Sequence, residues 1–176
     1  PGQRILISTA TNFAKWSEPR PLVDSTTDAN GVERVLTAAG FHQHHGNLVA
    51  YFANYGPKKE TTHLLAVTTT NGVDWSAPQS VGLPVCPNSG PLAVRGGRFI
   101  LSGHIAFPYT DDPTGLTGWQ MAGLYPKAMA ATVTDDPASF WRVARANGWG
   151  AAVCEGSAFQ TDDGVIHVPL RSTGSQ

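Results

Sequence analysis

Charge is scarce in this chain: Asp, Glu, Lys and Arg make up 14% of its residues, and the formal net charge is −1. So even a balance leaves no electrostatic footprint for nucleic acid, and no nucleic-acid partner is expected. The same shortage favours an exported protein, secreted or periplasmic, over a cytosolic one. Apolar runs are short as well. None approaches the roughly 18 residues of a membrane-spanning helix, and no basic-then-apolar signal peptide opens the sequence. The cysteines, Cys86 and Cys154, are too few for a disulfide framework; they pair, lie buried or stay free, and their spacing does not choose. Apolar residues nowhere recur at helical spacing through successive turns, so little helix is expected.

What is present reads as antiparallel β structure. RILIST (4–9), NLVAYFAN (47–54), THLLAVTTT (62–70), RFILSGHIAF (98–107), MAATVT (129–134) and VIHVPLR (165–171) are short β-type runs separated by Gly, Pro, Asn and Asp. Apolar residues at 41% suffice for a packed core, and 19 Gly with 13 Pro suit many turns. One motif occurs twice without a gap, TATNFAKWSEP at 9–19 and TTTNGVDWSAP at 68–78, so that Trp75 follows Trp16 by 59 residues (75 − 16). A weaker copy, TDDPASFWRV at 134–143, puts Trp141 another 66 residues on (141 − 75). Such a period indicates repeating units that bury their apolar faces against one another. In the second copy Thr68, Thr70 and Asn71 bond their own backbone, Gly72 supplies a positive φ and Trp75 packs on the next strand, forming a hairpin staple. Trp16, Trp75 and Trp141 are therefore expected at equivalent, largely buried positions. A period near 60 residues suits one four-stranded blade per repeat.

The staple resembles the Asp-box of sialidases and related β-propellers, S-x-D-x-G-x-x-W, which is a structural hallmark and not an active site. Its aspartate position holds Thr11 and Thr70 in the first two copies and Asp136 in the third. The resemblance implies an all-β chain in which residues 1–176 form a single partial propeller domain, with about three four-stranded antiparallel blades of a ring of roughly six or seven. Three blades do not close a ring, so a larger propeller is expected. The resemblance also implies a carbohydrate-active enzyme, an exo-acting glycosidase that removes a terminal acidic sugar. Its partner is an acidic oligosaccharide or glycan terminus, and no cofactor is called for.

CEGSAFQTDDGVIHVPLRS at 154–172 places an Asp163-Gly164 turn between two strands, with Glu155 before the first and Arg171 at the end of the second. It is similar to the sialidase segment E-x(8)-G-x(6)-R. There the glutamate activates a tyrosine nucleophile, and the arginine grips the substrate carboxylate. The chemistry suits the residue types, since an arginine fork donates two parallel hydrogen bonds to a carboxylate and a glutamate accepts a phenolic proton. The bland alternative is a surface ion pair.

GFHQHHGNL at 40–48 gathers His42, His44 and His45, and His104 follows in ILSGHIAF. Strand alternation places His42 and His44 on one face and His45 on the other. These rings either shuttle protons and bind substrate or cap strand ends. No H-E-x-x-H or paired C-x-x-C accompanies them, so no metal is expected. They matter because some propellers similar to sialidases are polysaccharide lyases acting on rhamnosyl-glucuronate. A lyase needs a cation such as Arg171 and a neutral base such as His42, His44 or Tyr109. The long segment FPYTDDPTGLTGWQMAGLYP at 107–126 is a candidate binding loop carrying Tyr109 and Trp119, and NGWGA at 147–151 carries Trp149; both tryptophans suit stacking on a sugar face. The remaining alternative is a non-catalytic glycan-binding or scaffolding propeller. In an enzyme, Glu155 and Arg171 should share a cavity with at least one of His42, His44 and His104.

Overall fold

The structure, a computed structural model, describes residues 3–56, 62–103, 106–123, 146 and 153–172. Its regular structure is strand throughout the described elements, and every strand pairing is antiparallel. The first motif lies between β1 (Ile5–Ile7) and β2 (Arg20–Val23). A four-stranded meander follows: β3 (Val35–His44), β4 (Asn47–Tyr55), β5 (His63–Thr69) and β6 (Gln79–Ser80), with the second motif between β5 and β6. The two motif hairpins share one register. Leu6 faces Pro21 and Ile7 faces Arg20, just as Leu65 faces Ser80 and Ala66 faces Gln79. The sequence repeat is therefore a repeat of backbone pairing.

A third unit is built from β7 (Leu92–Ala93), β8 (Phe99–Ile100) and β9 (Tyr109–Thr110). Bridges from Tyr109 to Gln120 and from Ala106 to Gly123 add a fourth segment to it. The last described unit is a long hairpin. β11 (Phe159–Gln160) pairs with β12 (Ile166–His167) near its tip, and β10 (Val153–Cys154) pairs with β13 (Arg171–Ser172) at its base. Its Thr161–Val165 turn repeats the backbone bonding of the Val94–Arg98 and Asp28–Val32 turns, with Gly164, Gly97 and Gly31 at positive φ.

The middle sheet is covered on both faces. Val49, Tyr51, Leu64 and Ala66 point toward the third unit, joining Val85, Leu101 and Ala106 with Leu116, Trp119 and Met121 packed against them. Ala50, Phe52 and Val67 point toward the first unit and join Ile5, with Leu22, Val23 and Trp75 against them. Double coverage explains why NLVAYFAN is a continuous apolar run and not an alternating one.

The two staples use the same bonds. Thr9 N donates to Ser17 Oγ at 3.0 Å and Thr68 N donates to Ser76 Oγ at 3.0 Å. Asn12 Oδ1 accepts from the amides of Ala14 and Lys15, and Asn71 Oδ1 from those of Val73 and Asp74. Phe13 (φ 57) stands where the second copy has Gly72 (φ 72). The threonine hydroxyl that locks the second copy belongs to Thr69, which accepts from the amides of Asn71 and Gly72; the sequence pointed to Thr68 and Thr70. The tryptophans also depart from expectation. Trp75 is half-buried in the cluster shared with the first unit, whereas Trp16 is 58% exposed. Trp16 belongs to neither of the described apolar clusters. Trp141 lies outside the described residues.

Candidate functional site

Glu155 and Arg171 meet at the base of the long hairpin. From Cys154–Arg171 to Phe159–His167 the pairing leaves four residues on the first strand (155–158) opposite three on the second (168–170), so the first strand carries a bulge. Glu155 sits at its start with φ 55, a region that L residues other than Gly, Asn and Asp rarely occupy. Gly156 follows because a Cβ there would fall 2.9 Å from Leu170 Cδ2. The bulge turns the Glu155 carboxylate onto the Arg171 guanidinium. Nε and Nη2 donate to the two carboxylate oxygens, the Nη2 bond measuring 2.9 Å. Both side chains are about half exposed, at 53% and 52%. An exposed pair contributes at most about 1 kcal/mol, while a non-Gly residue in a sparse φ region costs about 1–3 kcal/mol, so the pair does not justify its own backbone on stability grounds.

His42, His44 and His45 lie elsewhere. Gly156 packs beside Ser102, while the tip of the hairpin, at Gln160 and Asp162, bonds Arg95 of the β7–β8 turn. Base and tip are eight residues apart (163 − 155), roughly 26 Å of extended chain. His42 is at the tip end, edge-on to Phe99 at 4.4 Å and bonded through Nε2 to the Pro113 carbonyl at 2.9 Å. A carbonyl only accepts, so His42 Nε2 carries the proton and is not the atom that would take one. His42 and His44 stack with centroids 6.4 Å apart, on one strand face. His45 occupies the β3–β4 turn with Gly46, at φ 45 and 82, the signature of a type I′ turn. That explains its place without substrate. His104 and Trp149 lie outside the described residues, as does the side chain of Cys154; Cys86 is half-buried.

Tyr109 lines a cavity of about 470 Å³ with Arg98, Ile100, Phe107, Ile166 and Leu170. Its hydroxyl donates to Gln120 Oε1 at 2.8 Å, and Arg98, held by both oxygens of Asp111, lies 4.3 Å over its ring. That ion pair raises Arg98 and lowers Asp111 from their ordinary values. Ile166, Val168 and Leu170 face this cavity, so alternation directs Arg171 to the opposite side of the hairpin. Tyr109 and Arg171 are thus separated by the strand, and Tyr109 is not placed as a nucleophile for Glu155.

The 107–126 segment is a packed loop through Trp119, not an open lid. Asp112 accepts from the amides and hydroxyls of Thr114 and Thr117, and Trp119 Nε1 donates to the Gly115 carbonyl at 2.9 Å. Burial alone would raise the Asp112 carboxyl, but those four bonds outweigh it and hold the group well below the usual carboxylate range. This is a third staple at the third unit's equivalent hairpin. Its signal, T-x-D-x-x-G-x-x-x-W at 110–119, is readable in the sequence but differs in spacing from the other two. Trp119 is half-buried, packed against the core cluster.

No protein-family model and no curated protein matches this chain. Among the described residues no helix is long and apolar enough to cross a membrane, and no group of three His, Cys, Asp or Glu is set to hold a metal ion.

Proposed function

We propose that this chain is part of a sialidase-like β-propeller that acts on a terminal acidic sugar outside the cytosol. Support for the propeller comes from motif hairpins repeating in identical register and from sheets stacked face to face, as blades are. The observation that carries the activity is the Arg171–Glu155 pair: an exposed bidentate contact on a strained bulge, at the spacing E-x(8)-G-x(6)-R. In this reading Arg171 binds the sugar carboxylate and Glu155 orients the guanidinium and serves as proton acceptor. A lyase reading draws less support, because His42 Nε2 is engaged by Pro113 and Tyr109 faces the other side of the hairpin. A non-catalytic glycan-binding propeller is favoured by one observation, that Arg171 shares no described cavity with His42 or His44.

The test is turnover of a sialoside and of a rhamnosyl-glucuronide. Release of free acidic sugar without ultraviolet absorbance from an unsaturated product supports hydrolysis; that absorbance would mean elimination, and binding without turnover a lectin-like module. Arg171→Lys keeps the charge but loses the fork, so catalytic efficiency should fall by roughly one to three orders of magnitude with an unchanged melting temperature. Glu155→Gln should suppress turnover and spare binding. Near-normal rates in both variants would sink the proposal.

A further inference from the structure

At the opposite end of the units from Arg171, the second and third units enclose a smaller pocket. Its volume is about 240 Å³, and its walls are His44, Asn47, Val49, Thr68, Thr114 and Leu116. The volume lies just under the roughly 300–1,000 Å³ of drug-sized ligand sites, which suits a single ring. The lining has two characters. Val49 and Leu116 give an apolar floor that continues into the core, while an imidazole, an amide and two hydroxyls stand around it. Among the described residues the side chains of His44, Asn47 and Thr68 make no hydrogen bond, so three polar groups converge on one space with their capacity unengaged. Thr114 differs, since its hydroxyl donates to Asp112 at 2.6 Å and accepts from the Leu116 amide at 3.3 Å, which leaves one lone pair for a ligand. An apolar floor with a few convergent polar groups is the general form of a small-ligand site.

We infer that this pocket binds the ring of a neutral sugar. A pyranose offers a C–H face for Val49 and Leu116 and a rim of hydroxyls that both donate and accept. Asn47 and Thr68 likewise do both, and Thr114 accepts. The charge pattern excludes an acidic sugar. No Lys or Arg lines the pocket, and the Asp112 carboxylate stands directly behind Thr114. The site is thus complementary in charge to the one proposed around Arg171 and does not depend on it.

The test is an amide-resolved NMR titration of the protein with methyl glucoside, methyl galactoside and methyl mannoside, with methyl glucuronoside as the anionic comparison. At least one neutral glycoside should give saturable shifts at His44, Asn47 and Thr68 with a Kd of about 1 mM, as a ligand of a dozen or so heavy atoms allows. The glucuronoside should bind about tenfold more weakly or worse. Asn47→Ala and Thr68→Val should each weaken binding by about tenfold while the melting temperature holds. Should Thr68→Val fail to fold, Asn47→Ala decides, because Asn47 is exposed beside the turn. Arg171→Lys should leave these shifts unchanged. Absence of saturation, shifts centred elsewhere, equal affinity for the glucuronoside, wild-type binding by folded Asn47→Ala, or loss of the shifts in Arg171→Lys would each overturn the inference.

Discussion

Positions 16 and 75 hold the same residue in the same hairpin, yet their surroundings give them different weights. Trp75 closes the cluster around Ile5 and Phe52, whereas Trp16 touches chiefly Phe13, edge-on at 6.4 Å. Trp75→Ala should therefore cost about 3 kcal/mol and Trp16→Ala less than about 1 kcal/mol, measured by denaturant unfolding. Equal losses would mean that Trp16 is covered after all. The paired asparagines, Asn12 and Asn71, were legible in the sequence because an Asx turn is a local matter. Thr69 was not, since three consecutive threonines do not reveal which hydroxyl turns inward. The His42 bond to Pro113 was out of reach for another reason: its partners are 71 residues apart and meet only through tertiary packing.

At the scale of elements, the strands and the Asp163-Gly164 turn were readable from β-type runs and glycine placement, but the bulges were not. One lies in β3, where Ala39 and Gly40 oppose Tyr51 between the Ala38–Phe52 and Phe41–Ala50 pairs. Gly40 has φ 91, and a Cβ on it would collide with the backbone amide of Gly90; a Cβ on Gly90 would strike the Phe41 carbonyl. Two backbones touch here with no side chain between them. Gly40→Ala meets both a forbidden φ and an immovable neighbour, so it should cost about 3 kcal/mol or more, seen as a lowered midpoint in urea. A neutral result would show that the 89–90 segment shifts freely away from β3. The bulge at Glu155 is a feature of the same kind. Its spacing was visible beforehand, while the positive φ of Glu155 and the close packing of Gly156 beside Leu170 and Ser102 were not.

For the whole molecule, two partly buried groups shape the response to acid. Asp112 has its carboxyl held far below the unfolded value near 3.9 despite its partial burial, because Thr114 and Thr117 bond the ionised form. Its contribution is complete above that unfolded value and drains away as pH falls toward the folded one. His63 is lowered by burial and then by Arg34, so the unfolded chain takes the proton more readily. Stability from that source is present above about pH 6.5 and declines as pH drops toward its depressed folded value. Melting temperature against pH should therefore fall in two stages. His63→Asn should flatten the first stage and Asp112→Asn the second. An unchanged profile in either variant would remove that group from the account. The repeat was legible at this scale because it is written in local motifs. The separation of Arg171 from His42 and His44 was not, since it follows from which end of each sheet a turn occupies.

Arg20 donates to the carbonyls of Gly72 and Val73, and Ile5 shares its apolar cluster with Trp75. Each unit is finished by the one after it, which sets a schedule during synthesis. Ile5 is made 70 residues before Trp75 (75 − 5), and ribosomes add about 5–20 residues per second, so its cluster, begun by Leu36 and Phe52, waits roughly 4–14 seconds for its last member. Through that interval the part of the first unit that Trp75 covers stays open, the form of apolar surface that chaperones hold.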